Sequence, residues 1–292
     1  MSILITGSES FLAYFIKKKL KNKKIKFYGF DRINKGASKK INILNKNLHK
    51  YIKNNTSSII HLAAISSSKD FEINPEIAYD VNVKGTINLL KSAHKKNVKQ
   101  LIFASTEWVY GEASKKIINE KSKIESSKLG SEYAVSKYLC EELIKYYCTL
   151  YNIKFVILRF GIIYGPRKTR ANWSAVESLI SKVNQNEKVI EVGSKKTART
   201  FIHAEDVADA IIKSLNYIKS NILNLSGDRL INLGEIIKIS NQMLNKNSKI
   251  IEKNKNNFNF RNTNNSLIKK ELKWKPSKTL SSSLIEVVHS LK

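Results

Sequence analysis

The stretch Ser2-Ile-Leu-Ile-Thr-Gly-Ser-Glu-Ser-Phe-Leu-Ala13 decides the fold of this chain. Ser2 to Thr6 is a short, mostly apolar run of the kind that forms a buried strand. Gly7 to Ala13 follows as a tight turn, and Phe15 to Leu20 then carries helical apolar spacing with a lysine-rich outer face. Strand, glycine turn and helix make the first half of a dinucleotide-binding unit, with the pyrophosphate at the helix N-terminus. A second apolar strand, Ile25 to Phe30, ends in Asp31, at about the spacing of an acid that holds a ribose 2′-hydroxyl. Such an acid selects NAD, since a 2′-phosphate would be repelled; Arg32 beside it pulls the other way.

Outward from that turn, apolar strands alternate with amphipathic helices up to about residue 160. Ile59 to Leu62, Gln100 to Ala104 and Phe155 to Arg159 read as strands, and Asn82 to His94 and Tyr133 to Tyr151 as the flanking helices. This alternation predicts an α/β fold, a Rossmann-type doubly wound parallel sheet with a smaller C-terminal substrate-binding lobe. Residues 1–164 and 199–221 are expected in the nucleotide domain, and 165–198 and 222–292 in the lobe. Residues 252–265, rich in Asn and Lys, read as a loop. The sequence contains no internal repeat.

Composition narrows the setting. Lys and Arg total 52 against 24 Asp and Glu, a formal net charge of +28. Such a charge suits a nucleic-acid binder, yet it is mostly Lys dispersed along solvent faces, so a nucleic-acid partner is not expected. No run of about 18 apolar residues is present, which argues against a membrane span. The chain enters its first strand at once, so no signal peptide is expected and the setting reads as cytoplasmic. Cys140 and Cys148 fall about two turns apart on one helix, too far for a disulfide, and lack partners at metal spacing. They read as core thiols, and no metal site is expected.

Tyr133 and Lys137 lie in Ser131-Glu-Tyr-Ala-Val-Ser-Lys137. Four residues of separation put the phenol and the ammonium on one helix face, a turn apart. The ammonium favours phenolate, so the Tyr133 pKa is expected to fall toward the working pH and the hydroxyl to act as a general acid and base.

Many segments in a fixed order extend this reading: Ile60-His-Leu-Ala-Ala64, Asn82-Val-Lys-Gly-Thr86, Phe103-Ala-Ser-Thr-Glu-Trp-Val-Tyr-Gly111, Arg159, and Tyr164-Gly-Pro-Arg167. Arg199-Thr-Phe-Ile-His203, Asp206-Val207 and Leu272-Lys-Trp-Lys-Pro276 complete the series. Over nearly its whole length the chain resembles the extended short-chain dehydrogenase/reductase family, in particular its nucleotide-sugar epimerases and dehydratases. The resemblance implies catalysis by Thr106, Tyr133 and Lys137. It implies a cofactor site, NAD by the acid at Asp31, of Gly7, Ser10, Phe11, Leu12, Asp31, Arg32, Leu62, Ala63, Ala64, Tyr133 and Lys137. It places His61 under the cofactor in a structural role, and two long helices against a second subunit in a homodimer. The family's turn usually carries three glycines; here Ser10 and Ala13 replace two. Ser10 adds a Cβ where the backbone approaches the pyrophosphate, while its hydroxyl offers a phosphate donor.

For substrate, the resemblance implies a nucleotide-diphosphate sugar met by Glu107, Arg167, Arg199 and Arg261. Arginine's planar fork suits phosphate, although Ile162 replaces the family's usual diphosphate-binding Asn. Dehydratases follow the Thr with an Asp and a Glu; here Glu107 keeps the first acid and Trp108 removes the second. One carboxylate is poorly suited to two proton transfers at separate carbons. The reading is therefore an NAD-dependent epimerase, acting at carbon 4 in surface-polysaccharide precursor synthesis. A reductase, dehydrogenase or dehydratase of the family is the alternative, and an RNA-binding or regulatory protein a remote one.

Overall fold

A computed structural model describes residues 1–33, 38–111, 117–167 and 173–291. The central sheet has seven strands: β1 (Ser2–Thr6), β2 (Phe27–Asp31), β3 (Ser38–Lys40), β4 (Thr56–His61), β5 (Gln100–Thr106), β6 (Lys154–Phe160) and β7 (Asn221–Leu225). Their spatial order is β7-β6-β5-β4-β1-β2-β3, and every pairing from β6 to β3 is parallel. This is the doubly wound Rossmann-type sheet expected from the alternating pattern. Strand order reverses between β1 and β4, the point at which such sheets bind ligands outside their carboxyl ends. Register aligns those ends: Thr6 lies beside Phe30 and His61, and His61 beside Phe103.

Three helices matter for the site. Helix α1 (Phe11–Asn22) begins where Ser10 caps it and buries Leu12, Ala13, Phe15, Ile16 and Leu20, leaving the lysines outward. Helix α2 (Gly85–Lys95) follows a wider π-type turn over Asp80–Lys84 that buries Asn82. Helix α3 (Glu132–Leu150), capped by Ser131, carries Tyr133 and Lys137. Leu4, Ile59, Leu89, Leu101, Ile144 and Ile157 are among the core residues between sheet and helices. Cys140 and Cys148 are free thiols in that core.

The chain forms two compact units. The first takes Met1–Glu112, Ser122–Phe160 and Ala208–Leu223; the second takes Ala113–Lys121, Gly161–Val207 and Asn224–Lys292. Thus 113–121, 161–164 and 199–207, read from sequence with the nucleotide domain, cluster with the second unit, and 222–223, read with the lobe, with the first. That unit has its own core, including Tyr164, Val176, Ile180, Ile190, Phe201, Ile237 and Leu284. Its largest sheet orders the strands Ile231–Asn232, Ala198–Arg199, Phe260–Thr263 and Ile117–Ile118. The segment 252–265 is therefore not merely a loop. Phe260–Thr263 pairs with Ala198–Arg199 on one side and Ile117–Ile118 on the other, and cross-strand bonds override its polar composition. Asp206 explains a motif of no evident chemistry: its carboxylate accepts from Ser277 and Lys278, and its carbonyl from Trp274 Nε1. Among the described residues, no helix is long and apolar enough to cross a membrane.

Candidate active site

The first unit assembles the cofactor-end residues. Gly7 has φ +68°, and a Cβ there would lie 2.7 Å from the Ala63 nitrogen. A side chain at Gly7 would thus collide with the backbone leaving β4, so only glycine lets the turn pass the Leu62–Ala63 segment. Gly29 plays a similar part on β2: a Cβ would meet Ser8, whose hydroxyl donates to the Phe30 carbonyl and bonds Ser38. The Ser10 hydroxyl accepts from the Ala13 amide at 3.4 Å as the helix cap, which leaves its own proton to donate. Phe11 and Leu12 open α1 behind it.

Asp31 ends β2 as expected. One of its oxygens accepts from the Glu9 amide at 2.9 Å and the other from the Ile33 amide at 3.3 Å. Glu9 itself, which sequence reading passed over, bonds Lys17 at 3.1 Å and the Ser38 hydroxyl. Two carboxylates therefore crowd the edge where a ribose would rest, and a 2′-phosphate would meet both. A bare glycine at the crossing, a helix N-terminus and an anchored acid fit NAD. Arg32 is exposed beside Asp31, and Ala64 follows the Leu62–Ala63 crossing.

The reactive residues meet at the carboxyl end of β5. Thr106 is its last residue, buried, with its hydroxyl accepting from the Trp108 amide at 3.3 Å and near enough to the Tyr133 hydroxyl to lower its pKa. The Phe71 ring meets Tyr133 edge-on at 6.2 Å. Lys137, buried one turn along, donates to the Ala104 carbonyl at 2.7 Å and lies 4.6 Å above the Phe103 ring. Burial lowers its pKa to about 8, with Cys140 and Glu141 acting in the opposite sense. Burial raises the Tyr133 pKa above its ordinary value, opposed by the Thr106 hydroxyl. This corrects the expectation of a lysine-lowered phenol: in this conformation the desolvation of Tyr133 outweighs any help from an ammonium turned toward Ala104.

His61 is a structural residue. Its Nδ1 bonds Thr6 at 2.7 Å and its Nε2 bonds Thr86 at 3.0 Å. Burial and the nearby Lys137 charge bring its pKa to about 3, so it is a neutral imidazole at physiological pH. Asn82 donates to the Ile65 carbonyl and the Ser136 hydroxyl, tying the end of β4 to α3. Glu107 is wholly buried in the 3₁₀ turn Glu107–Tyr110, not a solvated loop carboxylate, while Trp108 is about a third exposed, at 37 %.

The second unit holds the three expected arginines in different settings. Arg167 donates through Nε to the buried Glu177 at 2.9 Å and through Nη2 to the Ile163 carbonyl. It is the internal partner of a buried carboxylate, a role beyond the substrate contact expected from sequence. Arg199 donates to the carbonyls of Ala198 and Asn259 and is partly exposed. Arg261 pairs with it across the strands and is fully buried. Sequence reading also missed Glu141, Arg159, Ser105 and Tyr110 as one connected group. Glu141 standing one helical turn beyond Lys137 was the available signal.

Fold and site together define a dinucleotide-binding α/β protein with a Thr–Tyr–Lys group at the end of its fifth strand. Residues 3–226 match the family model for the NAD dependent epimerase/dehydratase family, and the chain belongs to that family. A protein of Methanocaldococcus jannaschii, provisionally named a UDP-glucose 4-epimerase, is 32 % identical over 249 residues, covering 81 % of this chain and 80 % of its own length. The UDP-glucuronate 4-epimerase of Thermodesulfobacterium geofontis is 30 % identical over 273 residues, covering 92 % and 80 %. The Thermus thermophilus UDP-glucose 4-epimerase solved with NAD superimposes at a TM-score of 0.86 with 21 % identity, covering 100 % of this chain and 99 % of that one. Proteins named as a decarboxylase and as 4,6-dehydratases also match.

Proposed function

We propose that this protein is an NAD-dependent nucleotide-sugar 4-epimerase, making precursors of surface polysaccharides. The observation that carries the reading is the neighbouring Thr106 and Tyr133 hydroxyls, with Lys137 one turn away and Trp108 in the place of a second acid. Thr106 orients the carbon-4 hydroxyl of the sugar, and Tyr133 takes its proton. Lys137, once turned from the Ala104 carbonyl that it meets in this conformation, would supply the positive charge that favours phenolate and the donor for the nicotinamide ribose. NAD, when bound, would supply the acceptor and donor of a hydride at carbon 4. Tyr133 would give its proton back as the hydride returned to the other face of the keto sugar, so atoms and electrons balance with no net cofactor use. Arg199 is the arginine best placed by exposure to meet a diphosphate. The 4-epimerase names of the two relatives support this reaction. Leu139, Tyr146 and Leu150, exposed on α3, support a homodimer built on that helix.

The test is incubation with UDP-glucose, UDP-galactose or UDP-glucuronate and NAD, followed by proton NMR. Epimer mixtures with constant reduced-cofactor absorbance are expected. Stoichiometric cofactor turnover would make the protein a reductase or dehydrogenase, and a 4-keto-6-deoxy product a dehydratase.

A further inference from the structure

Glu141 is wholly buried on α3, one turn beyond Lys137 and two beyond Tyr133. It receives three bonds from Arg159 of β6, at 2.6, 3.0 and 3.2 Å, and one from the Ser105 hydroxyl of β5. Arg159 stands beside Ser105 in the sheet and donates onward to the Tyr110 hydroxyl at 2.9 Å, with its guanidinium 4.8 Å above that ring. Ser105 precedes Thr106, and Tyr110 closes the turn that follows it. The chain on both sides of Thr106 is therefore tied to one carboxylate on the helix that carries Tyr133.

A buried ion pair is a poor device for stability, because desolvating both charges cancels most of their attraction. It does fix geometry: the fork of an arginine on a carboxylate permits little rotation or slippage. We propose that Glu141 and Arg159 are positioning residues, which lock the register of α3 against β5 so that the Thr106 and Tyr133 hydroxyls stay side by side, and that the Glu141 carboxylate, one turn beyond Lys137 on the same helix, keeps that lysine charged. The second part follows from the groups that face Lys137. On α3 these are Cys140 and Glu141, both of which favour its charge; from β4 it meets His61, which is neutral, and from β5 the Ala104 carbonyl and Phe103 ring. Ser105, Arg159 and Tyr110 touch no reacting atom in this arrangement; they act through Thr106. The proposal rests on the reading of Tyr133 as the acid and base.

The experiment compares Glu141→Gln, Arg159→Lys and Tyr110→Phe with Tyr133→Phe as control. It measures kcat and KM on the UDP-sugar turned over, and NAD+ affinity by calorimetry at pH 7 and pH 9. Glu141→Gln should lose about 100-fold in kcat, the usual scale for a misplaced reacting group, with KM within about twofold. Its NAD+ affinity should be about twofold weaker than the wild type at pH 7 and about tenfold weaker at pH 9, the effect of a lysine pKa lowered by about one unit. Tyr110→Phe, which removes one acceptor and keeps the ring, should lose about threefold in kcat. Wild-type kcat in Glu141→Gln and Tyr110→Phe, with an unchanged pH dependence of NAD+ binding in Glu141→Gln, overturns the proposal. Should Glu141→Gln not fold, Arg159→Lys and Tyr110→Phe decide by the same criteria. If Tyr133→Phe is fully active, the acid and base reading fails instead. The NAD+ titration still judges Glu141, since it needs no turnover.

Discussion

The two units hold their charged side chains in opposite ways. In the first, Glu141, Arg159, Lys137 and Asn82 are fixed by bonds that cross between helix and strands, over sequence separations of 17 to 54 residues. In the second, Arg199 is partly exposed and bonds backbone carbonyls, those of Ala198 beside it and of Asn259 on another segment. Arg167 bonds a carboxylate ten residues on that also completes the capping box of the helix Ala175–Asn184. Side-chain bonds between buried groups of different elements make a site whose geometry depends on the whole sheet. An arginine that meets main-chain carbonyls at the surface can be changed with a more local effect.

Substitutions can break or sharpen that contrast. Tyr133→Phe, in the first unit, should reduce kcat by about 1,000-fold with NAD+ affinity unchanged, measured by NMR turnover and calorimetry. Acid should act through His61. Its folded pKa of about 3 lies below the unfolded value of about 6.5, so the unfolded chain binds the extra proton. Its contribution is fully present above about pH 6.5 and is lost as pH falls toward 3, on the order of 5 kcal/mol in all. A series of thermal melts across that range should show the slope, and His61→Gln should flatten it. Arg167→Ala, in the second unit, strands the buried Glu177 and should cost about 3 kcal/mol in denaturant melts while sparing NAD+ binding. Arg199→Ala should leave folding intact and raise KM for the UDP-sugar about tenfold, near 1.4 kcal/mol. Ser10→Gly should cost only a few tenths of a kcal/mol in stability, because glycine also tolerates the cap position, and should strengthen NAD+ binding in calorimetry.

The sheet was legible because its central strands are apolar on both faces, as parallel strands must be, and because Gly7 and Asp31 flank them at a telling spacing. The four-residue step from Tyr133 to Lys137 identified their helix face for the same reason. Legibility failed where tertiary bonds outweigh composition. Phe260–Thr263 is a polar stretch that becomes a strand only because two neighbours pair with it. Arg167 looks like a phosphate ligand until Glu177 is seen beneath it. The Tyr133 pKa was misjudged because spacing reveals which charge is near, but neither how dry the phenol is nor where the lysine points.

The acid pair at the glycine turn has a consequence beyond ligand fit. Asp31 is held by the main-chain amide of Glu9, whose own carboxylate is held by Lys17 and Ser38. A dinucleotide bearing an additional dianion at its adenosine end would face that double negative charge, with Lys17 and the exposed Arg32 as counterweights. The expected consequence is a preference for the unphosphorylated nicotinamide pool, set by this corner of the fold.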